Sequence, residues 1–348
     1  MSGKVSTASQ TSMPPTHPLL GAYALAPTDR TAEANLYAGL RDLPVLGGLE
    51  LPFTGALHHD DEPWLLRQLA PHWQCVVTLL PGTMQQVAAS PSWGLASTDP
   101  VGRRDALAFV RRAADTVARV NDTLGRQAVL AVELHSAPSA QPSGPAAVRA
   151  FSESLLEIQQ MAWQGASLLV EHCDAFNPPH PHHKGFLALG DELAALDAVE
   201  RAGGQPVGLV INWARSVLET HRLETALQHL HEALKHGRLR GVCFSGCSGA
   251  ITPYGSWRDS HMPHARTAVS PHGAADSLLT PADIAAIGDA FHREPLLFTA
   301  AKIGIRPEDA SVEARLATAG ELLHLIAEAW TPAPTGERPS RRTVAGDF

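Results

Sequence analysis

Residues 128–136 read AVLAVELHS, and residues 166–174 read ASLLVEHCD. Each stretch begins as a short apolar run and ends abruptly in carboxylate and imidazole. Alternate positions of a strand share a face, so Glu133 and His135 fall on one side of the first stretch. A run that is apolar on both faces suits a parallel strand buried between other layers. The polar residues at its end mark where such a strand leaves the core.

The same pattern recurs along the chain. Apolar runs predict strands over Leu19–Ala24, Leu46–Leu51, Cys75–Leu80, Ala128–Leu134, Ser167–Val170, Val207–Ile211, Gly241–Phe244 and Pro295–Ala300. Amphipathic stretches lie between them, among them Asp105–Leu124, Ala146–Gln164, Gly190–Ala202, Arg222–His236 and Pro281–His292, with a last one over Ser311–Trp330. Repeated strand–helix units imply right-handed parallel crossovers. Eight of them fit a closed (β/α)8 TIM barrel, an α/β fold in a single domain with long βα loops, better than an open doubly wound sheet. An open sheet often carries G-x-G-x-x-G after its first strand, and none stands there. The barrel is expected over residues 19–330, between a disordered lead-in over 1–18 and a Pro- and charge-rich disordered tail over 331–348.

Composition narrows the class. The chain has 348 residues, 44% of them hydrophobic, enough for one large core. Mean hydropathy is −0.06, and no apolar stretch is long enough to span a bilayer. The start, MSGKVSTASQTSMPPTHP, lacks the apolar centre of a signal peptide, so the cytoplasm is the expected location. Net charge is −8 with no basic stripe, so no nucleic-acid partner is expected. Self-association into a homo-oligomer is compatible with the composition. The four cysteines (Cys75, Cys173, Cys243, Cys247) show no paired C-x-x-C zinc pattern, and most sit in apolar runs as reduced core residues would.

Two long connections follow proposed strands and therefore belong to the catalytic face. Ser136–Ala146 contains Pro138, Pro142, Gly144 and Pro145. Gly246–Leu279 holds Trp257, Asp259, His261, His264 and His272. Loops of this length serve as lids or binding loops, or as decoration.

The strand ends gather Glu50, His135, Glu171, His172, Asp174, Asn212, Arg215 and Lys302, with His58 and His59 soon after the second strand. Capping of the following helices accounts for Thr83 and Ser216 and competes for Asp174, Asn212 and Ser245. It accounts less well for Glu171, His172 and Lys302, because a charge beside an apolar run is costly to bury without a partner or a function. Glu133 is expected to pair with an interior arginine or lysine, or to take part in chemistry. His58 and His59 also read as surface residues, and His180, His182 and His183 as a solvated Pro-rich loop. The mixture suits a small carbohydrate-like substrate. Carboxylate and imidazole exchange protons, Arg and Asn hold oxygens, and Trp93, Trp213 and Trp257 offer apolar faces to a sugar ring.

The motifs LGAYALAP (20–27), GLELPF (48–53), PGTM (81–84), VELHSAP (132–138), VEHCDAF (170–176), KGF (184–186), INWARS (211–216), FSG (244–246) and YGSW-x-D-x-H (254–261) resemble a bacterial family. It is described as domain of unknown function 4862, within the xylose-isomerase-like TIM-barrel superfamily. The resemblance runs from about Leu19 to Trp330. It implies the barrel firmly and a reaction only broadly, since the superfamily includes sugar isomerases, epimerases, lyases and metal-dependent endonucleases. It also implies a divalent metal held from the later strands. Glu171 resembles the first ligand of that set, but Asn212 stands where an acidic residue is expected, Ser245 where His is expected and Lys302 where Glu is expected.

Two arrangements follow. One is a rearranged metal site (Mn, Mg, Zn or Co) using Glu171, His172 and Asp174, or His135 and His261. The other is metal-free, with Lys302 supplying the positive charge. The leading functional expectation is a sugar or sugar-acid isomerase or epimerase. Glu171 would be the acid/base, His135 its partner, and Lys302 and Arg215 the stabilisers of developing negative charge. Glu50, His58, Asn212, Trp213, Arg215, Trp257, Asp259 and His261 are expected to bind the substrate. A lyase or hydrolase, or a non-catalytic sugar-binding barrel, is the alternative.

Overall fold

The computed structural model describes residues 17–141, 144–177 and 180–331. The expected lead-in and tail lie almost wholly outside the described residues, as does Pro142. Eight parallel strands close into one barrel in sequence order, with β1 pairing to both β2 and β8. They are β1 Leu19–Leu20, β2 Gly48–Pro52, β3 Gln74–Thr78, β4 Val129–Leu134, β5 Ser167–His172, β6 Gly208–Asn212, β7 Leu239–Phe244 and β8 Phe298–Ala301. Among the described residues the helices are α1 Arg30–Arg41, α2 Glu62–Gln68, α3 Leu80–Ala89, α4 Pro100–Leu124, α5 Pro145–Ile158, α6 Leu189–Arg201, α7 Trp213–Thr220, α8 Glu224–Lys235, α9 Pro281–Phe291 and α10 Val312–Trp330. None of these helices is long and apolar enough to cross a membrane.

Several boundaries differ from expectation for local reasons. β1 stops at Leu20: after Gly21 donates its N–H to Ala301 O (2.8 Å), the chain coils into a 3-10 turn over Ala22–Ala24. β3 stops at Thr78, because Pro81 sits in the first turn of α3, where a missing N–H costs no bond. The PGTM motif is therefore helical. Thr83 lies inside that helix rather than at its cap, and Ser216 lies inside α7, whose cap is Asn212. β5 extends to His172, two residues further than its apolar run.

Two apolar layers flank the strands. The larger packs the outer strand faces against the helices and includes Leu49, Val77, Val132, Val170, Ile211 and Val242. The smaller fills the barrel interior with Leu19, Val76, Ala131, Leu169, Val210, Cys243, Phe298 and Ala300. All four cysteines are buried and free. On β2 the interior position falls to Gly48, where a Cβ would stand 1.8 Å from the carbonyl oxygen of Gln74. Only glycine lets β3 approach so closely.

Candidate active site at the mouth of the barrel

Strand periodicity of two places the next inward side chain two residues beyond each interior apolar one. Counting on from Leu19, Val76, Ala131, Leu169, Val210, Cys243 and Ala300 gives Gly21, Thr78, Glu133, Glu171, Asn212, Ser245 and Lys302. Gly48 on β2 is likewise followed by Glu50. An apolar plug is thus overlaid by a polar tier at the C-terminal ends of the strands, where barrels of this kind carry their sites.

Glu171 is the hub of this tier. Oε2 lies 3.0 Å from Nε2 of His135. Oε1 lies 3.2 Å from Nζ of Lys302, accepts from Nδ2 of Asn212 at 3.5 Å, and meets Nη1 of Arg215 in a close ion pair. Lys302 reaches Oε1 of Glu50 at 2.6 Å. Ser245 donates to Oδ1 of Asn212 (3.0 Å) and fixes that amide. The Glu171, Arg215, Asn212 and Lys302 side chains are fully shut off from solvent.

These contacts set the charges. Burial opposes ionisation of Glu171, but Arg215 and Lys302 outweigh it and hold the carboxyl well below its usual range. Burial likewise opposes the charge on Lys302, yet Glu171 and Glu50 keep it a cation. Burial pushes His135 down to about 4, so its imidazole is neutral near pH 7. An ionised Glu171 accepts, so Nε2 of His135 carries the proton and Nδ1 is left as an acceptor.

Glu133 does not form the interior ion pair expected of it. Burial and the Glu171 charge push it well above the carboxylate range, and Thr78 is its hydrogen-bonding neighbour. Among the described residues, His135 Nδ1, Glu133 Oε2 and Arg215 Nη2 are buried here with neither a hydrogen-bond nor an ion-pair partner.

The long connection Gly246–Leu279 folds over the mouth. Asp259 is its inward tip: Oδ2 accepts from Nε of Arg215 (3.1 Å) and from Nζ of Lys184 (2.7 Å). Burial opposes its charge, but Lys184 and Arg215 keep it ionised. His261 follows, with Nδ1 3.5 Å from Oδ1 of Asp259. Trp257 and His261 both hold left-handed backbone, at φ 50° and 54°, a conformation costly to non-glycine residues. Hydrogen bonds pin them: Trp257 N donates to Ser248 O, and Gly304 N to His261 O, each at 2.6 Å.

Six residues expected at the site make their contacts elsewhere. His58 accepts the N–H groups of Asp60 and Asp61 on Nδ1 and meets Glu33 at 3.2 Å through Nε2, so it ties a loop to α1. Trp213 opens α7 and faces the outer core, because the residue after an inward Asn212 must point outward. Trp93 packs edge-on against Phe109 in the same layer. Asp174 accepts the backbone N–H groups of His183 (2.6 Å) and Lys184 (3.0 Å), so it staples the loop after β5. His172 points out of the barrel beside the inward Glu171, between Glu192 at 2.8 Å and Glu219 at 3.2 Å. Trp257 stacks on His221, with ring centroids 4.0 Å apart.

Lys184, paired with Asp259, and Tyr23, near enough to Glu50 and Lys302 to feel their charges, join the tier without having been singled out in the sequence. Lys184 stands in the KGF motif, but its partner Asp259 is 75 residues away and no spacing reveals the pair.

A family model for a domain of unknown function, DUF4862, matches residues 19–318. The chain belongs to the DUF4862 family. A Salmonella typhimurium LT2 protein described as uncharacterised is 35% identical over 253 residues, 71% of this chain and 78% of its own length. Among solved structures, this DUF4862 barrel resembles a candidate xylose isomerase from Rhodospirillum rubrum, with TM-score 0.59, 14% identity, and 92% of this chain and 100% of the other covered. It also resembles the IolI protein with a bound zinc atom, with TM-score 0.56, 14% identity, and coverage of 89% and 98%. These likenesses show the xylose-isomerase-like TIM-barrel fold.

His135, Glu171 and Cys173 offer ligand atoms within 4.8 Å of one another. Their surroundings do not suit a divalent ion. Glu171 is already paired with the ammonium of Lys302 and the guanidinium of Arg215, and burial keeps the Cys173 thiol protonated. A further double positive charge beside these two cations would meet strong repulsion in a dry site. In this DUF4862 barrel, Lys302, at the position where the resemblance expects a Glu ligand, and Arg215 put two side-chain cations in the tier.

Proposed function

We propose that the chain is a sugar or sugar-acid isomerase or epimerase that moves a proton next to a carbonyl, using fixed protein charges at the mouth of the barrel. One observation carries this reading. An acceptor (His135 Nδ1), a donor (Arg215 Nη2) and one oxygen of a protonated carboxyl (Glu133 Oε2) lack partners beside a buried Lys302–Glu171 pair. Buried polar atoms are otherwise almost always paired, and a polyhydroxylated ligand supplies both donors and acceptors.

The roles differ from those the sequence suggested. Glu171 is too strongly stabilised as an anion to be the main proton carrier, and both its oxygens are engaged. It acts as a positioning residue. By accepting from Nε2 it fixes the His135 tautomer and stabilises the imidazolium formed when Nδ1 takes the substrate proton. Lys302 and Arg215 offset the negative charge that develops on the enediolate. Glu133 is the candidate donor for returning a proton. Asp259, on the covering loop, holds Arg215 and Lys184 in place while water is excluded.

The test is an aldose, ketose and sugar-acid panel in deuterium oxide, followed by proton NMR. Incorporation of solvent deuterium at the carbon next to a carbonyl, together with isomer or epimer formation, is the expected result. Binding without exchange or turnover would make this a sugar-binding barrel, and an unsaturated product would make it a lyase.

A further inference from the structure

Outside the barrel, on the opposite face of β5 from Glu171, three side chains converge between α6, α7 and α8. They are His172 at the end of β5, Glu219 near the end of α7 and His229 in α8. Nε2 of His172 lies 3.2 Å from Oε2 of Glu219, and Nε2 of His229 lies 3.9 Å from Oε1 of Glu219. One ligand atom from each lies within 4.8 Å of the other two. Donors around a tetrahedral zinc ion stand about 3.3 Å apart, given metal–nitrogen and metal–oxygen lengths near 2.0–2.1 Å, so the three need only close slightly on an ion.

The surroundings are built as a metal centre requires. Metal-binding imidazoles pass their other nitrogen to a carboxylate or another acceptor, which fixes tautomer and ring direction. Nδ1 of His172 lies 2.8 Å from Oε2 of Glu192, and Glu192 is itself held by the hydroxyl of Ser136 at 2.5 Å. Nδ1 of His229 lies 3.0 Å from the hydroxyl of Ser216. The two rings meet edge to face, with centroids 4.8 Å apart, leaving both Nε2 atoms on the Glu219 side. Glu219 receives the backbone N–H of Ala175 at 3.0 Å, so the carboxylate is aimed too. Its side chain and that of His229 are 12% and 13% exposed, which gives an ion a route from solvent that the central tier lacks. One carboxylate in contact and a second behind His172 offset the two positive charges of a divalent ion.

We infer that His172, Glu219 and His229 form a zinc-type divalent cation site on the outer face of β5. The ion would clamp the end of β5 to α7 and α8, one residue from Glu171. The inference does not rest on the proposed isomerase activity, and the central tier remains free of metal.

The test uses the full chain after chelator treatment. Titration with zinc by calorimetry is expected to give one ion per chain. Glu219→Gln and His229→Ala should each weaken binding more than 100-fold, and Glu192→Gln about 10–100-fold. His135→Ala, which removes a donor from the central group, should bind as the wild type does. Cobalt substitution of the wild-type chain supplies a readout independent of variant folding. It should give visible d–d bands without the near-ultraviolet thiolate charge transfer that coordination by Cys173 would produce. No zinc uptake by the chelated wild-type chain, a thiolate band with cobalt, or binding that survives His229→Ala would each overturn the site.

Discussion

Nζ of Lys302 stands 3.2 Å from Oε1 of Glu171, although 131 residues separate them and their strands are not neighbours. Closure of the barrel brings the ends of β5 and β8 to one mouth, where long side chains meet above the apolar plug. Arg215 shares the same carboxylate, while Glu50 also pairs with Lys302 and Asp259 with Arg215. Glu171→Gln removes the carboxylate they share, leaves only Glu50 for Lys302 and Asp259 for Arg215, and is expected to cost about 3 kcal/mol of stability. Adding Lys302→Met should recover part of that loss. Urea unfolding of the wild type, both single variants and the double variant measures the coupling. Additivity within about 0.5 kcal/mol would mean the two side chains do not stabilise each other.

His135 is the candidate base, with Nε2 held by Glu171 and Nδ1 free to accept. His135→Ala should slow turnover and solvent-deuterium exchange by about 10²–10⁴-fold while circular dichroism stays native. Glu171→Gln should lose activity through the wrong imidazole tautomer, with the pH dependence of kcat altered as well as its height. A folded His135→Ala protein exchanging at the wild-type rate would remove the imidazole from the mechanism.

The same imidazole predicts a pH dependence of stability. Burial lowers the folded His135 value to about 4, against about 6.5 in an unfolded chain. Between these values the unfolded chain binds the extra proton, so the contribution of His135 is fully present above about pH 6.5 and is lost as pH falls toward 4. Wild type and His135→Gln should therefore converge in stability, or cross, as pH drops through that window. A stability difference that is flat from pH 7 to pH 4 would show that the folded imidazole is not neutral.

Asp259 fastens the covering loop to the site through Arg215 and Lys184. Asp259→Asn removes the charge and leaves the shape. Hydrogen exchange across residues 246–279 should speed up by about tenfold or more, as expected when a charged hydrogen bond worth about 1.5–3 kcal/mol is weakened. KM for the substrate should rise more than kcat falls. Unchanged protection of this segment would show that its other backbone bonds hold it shut unaided.

Asp174 separates a structural carboxylate from a functional one. Asp174→Ala should cost about 1–3 kcal/mol by leaving the N–H groups of His183 and Lys184 unpaired. It should leave zinc uptake at His172 and His229 unchanged. Thermal melts and a zinc titration on the same sample check both halves.

The sequence by itself determined the barrel. Apolar runs such as Val129–Val132 and Leu168–Val170 cannot be satisfied except between two buried faces, and their repetition with helices leaves few other topologies. The period of two also put Glu133 and His135 on one face, because side-chain direction in a strand is local geometry. What lay beyond local geometry was decided by tertiary structure. His172 and Trp213 follow inward residues by one position and so face out, which their charge or aromatic character does not reveal. Asp174, Asn212 and His58 read alike as polar residues after strands. Which of them caps a helix, ties a loop or meets Glu171 depends on partners such as Ser245, Lys184 and Glu33, which stand 33, 10 and 25 residues away in the sequence. The exchange of roles proposed for Glu171 and His135 is of the same kind. Protonation states follow from the sum of burial and neighbouring charge, and that sum exists only once the mouth of the barrel has closed.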